Sequence, residues 1–204
     1  MNSRAIKTKS RREELLNSAT VAIRKHGVTV SMDEIAKVAN VPRTILYRYF
    51  DDRSGLKKAI TEKYKNEMNL FLAEQLDTIR NAVFASDTIN RNAIYELTNN
   101  TISKVFEFIQ NDPEIYKFVT NSQTGQNDSN SLTDFVESMC NMLASYLGDF
   151  LVHLKRDSGV AETWAYSIVG MVHFSSLWWL NRQSISDTRV VQYVTDLIVD
   201  GITG

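Results

Sequence analysis

Ten consecutive residues, Val41 to Phe50 (VPRTILYRYF), carry two arginines, two tyrosines, a threonine and a proline. Arginine makes bidentate hydrogen bonds to guanine edges and to phosphates, and threonine and tyrosine hydroxyls reach phosphate oxygens. An α-helix turns about 100° per residue. With Arg43 at zero, Tyr47, Thr44 and Arg48 fall within about the next 140°, while Ile45, Tyr49, Leu46 and Phe50 occupy roughly 200° to 340°. One face is apolar and suits packing; the other offers two guanidinium groups, a hydroxyl and a phenol, a set that suits the major groove of DNA. The chemistry implied is recognition, without bond making. Nowhere does a nucleophile, a base and an orienting group occur at motif spacing, nor a phosphate-binding loop or a zinc pattern. The expectation is a non-enzyme with no cofactor and no metal, His153 and His173 being too isolated to ligate.

The flanking residues are punctuated in a way that positions this stretch. A first helix runs from about Ser10 to His26, with Leu15, Ala19, Ala22 and Ile23 on one face and Gly27 as its stop. Ser31 opens a second, short helix, with Glu34 completing the capping box S-M-D-E and Ile35, Ala36 and Ala39 facing inward. Asn40 tolerates a left-handed turn, Val41 anchors it, and Pro42 begins the third helix at its first position. Two short helices joined by a tight turn are the layout of a helix-turn-helix. A fourth helix begins near Arg53, whose guanidinium, with the backbone N–H groups of that helix start, is placed to hold a flanking phosphate. Asp51 and Asp52 read as helix-capping groups. Tyr49, at the edge of the apolar face, either caps the small core or joins the contact set.

The run from Leu15 through Leu56, with Gly27, Ser31-x-x-x-Ile35-Ala36, Ala39-Asn40-Val41, Leu46-Tyr47-x-Tyr49-Phe50 and Arg53-x-x-Leu56, closely resembles the DNA-binding domain of tetracycline-repressor-type (TetR) regulators. The resemblance covers roughly the first 60 residues. Asn40 stands where that family usually has glycine, Arg53 where it usually has lysine, and Ile45 where threonine is frequent, which exchanges a hydroxyl contact for one with a thymine methyl. The resemblance implies a DNA-contacting set of Ser31, Pro42, Arg43, Thr44, Ile45, Tyr47, Arg48, Tyr49 and Arg53.

Charge agrees with this division. Residues 1–58 hold 13 Lys and Arg against 6 Asp and Glu, a balance of +7; the rest of the chain carries −8, so the net charge of −1 conceals a basic module on an acidic body. A clustered positive domain is the footprint of a polyanionic partner. Hydrophobic residues at 43% and charged residues at 23% are globular proportions, and 204 residues suffice for a hydrophobic core. A single cysteine, Cys140, forms no internal disulfide and reads as buried filler. The N-terminus lacks an apolar signal region, and the apolar run Ser167 to Leu180 is too short to span a membrane, so a cytoplasmic protein with no membrane partner is expected.

Helical spacing continues to the end, and no stretch shows sustained strand alternation, so the fold class expected is all-α with about nine helices: a helix-turn-helix domain at 1–58 and a helical effector-binding and dimerisation bundle at 59–204. The body helices fall at about 53–80, 90–110, 113–121, 131–155, 161–181 and 186–200, with a polar loop at Gly125 to Asn130. The last two are heavily apolar. The family resemblance implies that they form a homodimer as a four-helix bundle, through Trp164, Ile168, Met171, Val172, Trp179, Val190, Val194, Leu197 and Ile198. Phe71, Phe84, Tyr95, Phe106, Tyr116, Phe118, Met139, Met142, Tyr146 and Phe150 are either core or the lining of an apolar cavity, with Asn99, Asn100, Gln110 and Asn121 as polar neighbours. The ligand-binding set expected is Phe71, Tyr95, Asn99, Phe106, Phe118, Met139, Met142, Tyr146 and Trp178. The resulting expectation is a dimeric transcriptional regulator, a repressor released from a palindromic double-stranded operator by a small apolar effector. A ligand-dependent activator, a corepressor-type regulator, or a helical adaptor whose basic domain binds protein or membrane are the alternatives.

Overall fold

The computed structural model describes residues 3–84, 90–120 and 129–203. Among these the chain is all-α, with nine α-helices and one 3-10 turn. It divides into two compact units, Met1–Asn66 with Asp112–Phe135, and Glu67–Asn111 with Val136–Gly204. No helix among the described residues is long and apolar enough to cross a membrane. Asn121 and residues 125–128 of the expected polar loop lie outside the described residues.

The first unit is built on α1 (Ser3–His26), α2 (Met32–Val38) and α3 (Arg43–Phe50), with the start of α4 (Arg53–Phe84). α1 begins seven residues earlier than its apolar face suggests, because nothing in its basic first turns breaks a helix. Leu15, Leu16, Ala19, Ala22 and Ile23 recur at helical spacing and are fully buried. The helix ends at Gly27, whose φ of +76° is the left-handed conformation that glycine adopts without a Cβ penalty. α2 starts on the full capping box. The Glu34 amide donates to the Ser31 hydroxyl at 3.2 Å, and the Glu34 carboxylate accepts from the Ser31 backbone and hydroxyl, each at 2.7 Å. Those bonds, the backbone one foremost, hold the Glu34 carboxyl below its ordinary pKa.

Asn40 makes the turn at φ +51°, and the Val41 amide donates to the Ala36 carbonyl at 3.1 Å. Pro42 sits one position earlier than expected, as the N-cap of α3 rather than its first helical residue. Leu46 and Phe50 are the buried residues of α3. The chain then reverses within two residues. Asp51 takes φ +62°, Asp52 Oδ1 accepts from the Gly55 amide at 2.7 Å, and α4 sets off at once. Reversal is this tight because residue 55 has no side chain: a Cβ there would stand 2.0 Å from the Phe50 carbonyl oxygen. Leu56 and Ile60 of α4 close the small core, and α6 (Pro113–Thr120) joins the unit through buried Ile115, Tyr116, Phe118 and Val119. Asp112, just ahead of α6, accepts from both Nε and Nη2 of Arg24 on α1.

The second unit holds the remainder of α4, α5 (Arg91–Asn111), most of α7 (Ser129–His153), a 3-10 turn at Ser158–Val160, α8 (Ala161–Arg182) and α9 (Asp187–Thr203). Its core is a seam of Ile102 and Phe106 from α5, Trp179 from α8, and Val190, Val191, Val194 and Ile198 from α9. The α8–α9 link is pinned by the Trp179 indole N–H, which donates to the Ile185 carbonyl at 2.9 Å. Polar pairs run the length of α5 against α9: Tyr95 Oη donates to Asp196 at 2.9 Å, Asn99 Nδ2 to Thr195 Oγ1 at 3.3 Å and Gln110 Nε2 to Asp187 at 3.3 Å, and Arg91 pairs with Asp200.

Gly55→Ala is expected to destabilise the first unit by about 3 kcal/mol, the upper part of the overpacking range, because the clash is with backbone and has no side chain to yield. Thermal unfolding followed by circular dichroism checks this; an unchanged melting temperature contradicts the close approach.

Candidate nucleic-acid interface

α3 holds its outward side chains in place by burying the opposite ones. Leu46 and Phe50 are 0% and 2% exposed, whereas Pro42, Arg43, Thr44 and Arg48 are exposed and Ile45, Tyr47 and Tyr49 are half-buried. Of the four residues that the wheel places on the outward side, Arg43, Thr44 and Arg48 are exposed and Tyr47 is half-buried. Arg43 does not hang loose in solvent. Its Nε and Nη2 donate to Tyr47 Oη at 3.1 and 2.6 Å, its guanidinium carbon lies 5.0 Å from the Tyr47 ring centroid, and its Nη1 donates to both carboxylate oxygens of Asp33 at 3.3 Å. The bond to Tyr47, then the charge of Asp33, raises its pKa further above the ordinary arginine value. Arg48 lies over the Tyr49 ring at 5.3 Å, and Arg12 of α1 over the Phe50 ring at 5.2 Å. Such stacking restricts a guanidinium to a plane while leaving its edge able to donate.

Two members of the expected contact set are engaged in the fold itself. Ser31 is the cap of α2. Arg53 turns inward: its Nη2 donates to the Val28 carbonyl at 2.9 Å and its Nη1 to the Val30 carbonyl, so it ties the α1–α2 loop to the start of α4. Asp33 is the residue of this face that sequence reasoning passed over; the signal available was a carboxylate exposed beside a basic surface.

The residues expected to line a ligand cavity are dispersed. Phe118 is core of the first unit. In the second, Phe106 lies in the α5–α9 seam with its ring centroid 6.2 Å from that of Trp179, while Tyr95 and Asn99 bond across that seam. Phe71 stacks on Phe108 at 5.1 Å, Tyr146 donates to Asp77 at 2.8 Å beneath the Arg80 guanidinium, Met139 is buried, Met142 half-buried, and Trp178 exposed at 41%. A cleft of about 440 Å³ opens instead among Arg80, Asn81 and Phe84 of α4 and Asp149, Val152 and His153 of α7, with the tilted Phe84 and His153 rings 4.3 Å apart. Of these, Phe84 alone was among the rings singled out by spacing. Cys140 is fully buried, and burial pushes its thiol pKa up. No group of three or more His, Cys, Asp or Glu among the described residues is placed to hold a metal ion.

Of the residues expected at a dimer face, Trp179, Val190, Val194 and Ile198 are buried within this one chain, Ile168, Met171 and Val172 lean on the same core, and Trp164 is half-buried; Leu197 is 65% exposed. What α8 and α9 leave open is a different apolar surface: Tyr166, Phe174 and Trp178 on α8, at spacings of eight and four with Gly170 between, and Tyr193 and Leu197 on α9. Repeats of four on a helix mark one stripe, a signal legible in the sequence for Tyr166, Phe174 and Tyr193.

Residues 15–60 match the family model described as bacterial regulatory proteins, tetR family, and residues 78–203 match a tetracyclin repressor-like C-terminal domain. The chain is similar to an "uncharacterized HTH-type transcriptional regulator" of Mycobacterium tuberculosis, at 31% identity over 194 residues, 95% of this chain and 78% of that protein. Many solved structures share its fold, among them two solved with a bound small molecule. The transcriptional regulator FadR from Bacillus subtilis, in complex with stearoyl-CoA, superposes with a TM-score of 0.71 at 16% identity, covering 93% of this chain and 98% of FadR. SmeT in complex with triclosan gives 0.69 at 15% identity, covering 94% and 91%.

The two arginines are expected to separate by experiment. Arg53→Ala removes two charge-assisted bonds to backbone and lowers stability by about 1.5 kcal/mol, the low end for such bonds since the site is half exposed. Arg43→Ala leaves the melting temperature unchanged. Equal melting temperatures for both variants would contradict the inward role of Arg53.

Proposed function

We propose, starting from the fact that this chain belongs to the TetR family of DNA-binding transcriptional regulators, that it works as a homodimeric repressor released from an inverted-repeat operator by a small apolar effector. Membership excludes an enzyme reading and supplies the helix-turn-helix as the DNA-binding part. The single observation that supports the DNA reading of this chain is α3: eight residues whose buried pair, Leu46 and Phe50, leaves Arg43, Thr44, Tyr47 and Arg48 together on the other side. A helix of that width fits the major groove, where arginine discriminates guanine by its O6 and N7 acceptors. Residues 1–58 are the DNA-binding domain, and residues 59–204 serve effector binding and dimerisation.

Dimerisation is supported by the stripe on α8 and α9. Phe174 at 70% and Leu197 at 65% exposure, with Tyr166, Trp178 and Tyr193, are a larger run of open apolar side chains than a monomer keeps without use. A two-fold pair presents two α3 helices to half-sites about 34–36 Å apart, or a multiple of that. Trp178 belongs with this surface in the single chain. The small-molecule reading draws on the aromatic and methionine content of α4, α5 and α7, and on the structural neighbours solved with stearoyl-CoA and with triclosan, both rich in apolar surface. Effector and operator then oppose one another through a coupling free energy that is reciprocal between the two sites. The protein acts in the cytoplasm.

Selection from a random duplex pool with the purified protein tests this reading. The expected product is an inverted repeat, and Phe174→Lys combined with Leu197→Asp is expected to give a folded monomer by sedimentation whose affinity for that repeat falls at least tenfold. Enrichment of a lone half-site, or a double variant that stays dimeric, would overturn it.

A further inference from the structure

Asp33 presents a difficulty for any DNA-reading face. Its carboxylate is 59% exposed and stands beside Arg43, where a negative charge opposes the approach of a phosphate backbone. The cap of α2 does not require it, since Ser31 and Glu34 complete that box between them. What it does hold is Arg43. Both Asp33 oxygens lie 3.3 Å from Nη1, while Tyr47 Oη takes Nε and Nη2 and the ring lies beneath the guanidinium at 5.0 Å. Three of the four atoms that define the guanidinium plane are thereby fixed from two helices, α2 and α3.

An arginine fixed in this way behaves unlike a solvated one. An unrestrained guanidinium swings to the nearest phosphate, a contact that adds affinity to every sequence alike. A guanidinium whose charge is balanced by a neighbouring carboxylate gains less from a phosphate, and one whose plane is preset loses less freedom on meeting a guanine edge. We infer that Asp33 is a specificity-determining positioning residue: it holds Arg43 over Tyr47 so that this arginine reads a base edge instead of condensing on the backbone. The inference rests on the reading above that α3 meets DNA.

The test uses the full-length protein and the inverted repeat obtained by selection, with binding measured by fluorescence anisotropy across a salt series. Arg43→Ala first identifies the guanine position at which discrimination is lost. In Asp33→Asn, discrimination against replacement of that guanine is expected to fall about tenfold. Affinity for random duplex should rise, and the slope of log affinity against log salt should steepen by about one, the value for one added phosphate contact. Asp33→Glu should retain much of the discrimination. In an Arg43→Ala background Asp33→Asn should change none of these quantities. A structural role for Asp33, as an acid in the first turn of α2, would instead lower the melting temperature and weaken specific and random binding together; that outcome overturns the inference, as does unchanged discrimination in Asp33→Asn where Arg43→Ala is impaired. If Arg43→Ala itself binds the repeat as tightly as the unsubstituted protein, the reading of the α3 face fails and Asp33 falls with it.

Discussion

An eight-residue helix has no stability of its own in water, since nucleating the first turn costs more than a few hydrogen bonds return. α3 therefore exists only through Leu46 and Phe50, which it buries in the small core of α1, α2 and the start of α4. That single constraint orders the rest. It fixes the rotation of the helix, so Thr44 and Arg48, on the side away from the buried pair, must face outward. It also demands abrupt entry and exit, which Asn40 supplies at one end and Asp51 with Gly55 at the other. Every contact that orients Arg43 presupposes this helix rotation.

The DNA-reading unit was legible because its signals are local. A capping box, an asparagine turn and a two-sided wheel each lie within a dozen residues, and all agree on one arrangement. What escaped were consequences of distant partners. Arg53 looked like a phosphate ligand until the loop carbonyls of Val28 and Val30, more than 20 residues away in sequence, came within its reach. Asp33 acquired its meaning only when α2 and α3 were set side by side. Pro42 shifted by one position because capping depends on backbone geometry that a proline pattern does not uniquely specify.

The second unit was less legible for a physical reason. Apolar spacing identifies helices but does not say which neighbour a helix buries its face against. Val190, Val194 and Ile198 read as a dimer face with monomer core as the alternative, and within the single chain they are buried in a seam with α5. The residues left outside are those one step around the same helices, Tyr193 and Leu197. Rings expected to surround a ligand are likewise spent on α5–α9 and α4–α7 pairs, so the proposal of an apolar effector rests on composition more than on a constellation of side chains.

Everything functional turns on whether the outward face of α3 enters the major groove. Methylation interference on the selected operator reports this directly, because a methyl group on guanine N7 projects into that groove and displaces an arginine donor. Major-groove reading by Arg43 predicts interference at guanines in two half-sites related by the two-fold and separated by about one or two helical turns. Interference confined to adenine N3, which lies in the minor groove, or none at any guanine, would contradict it.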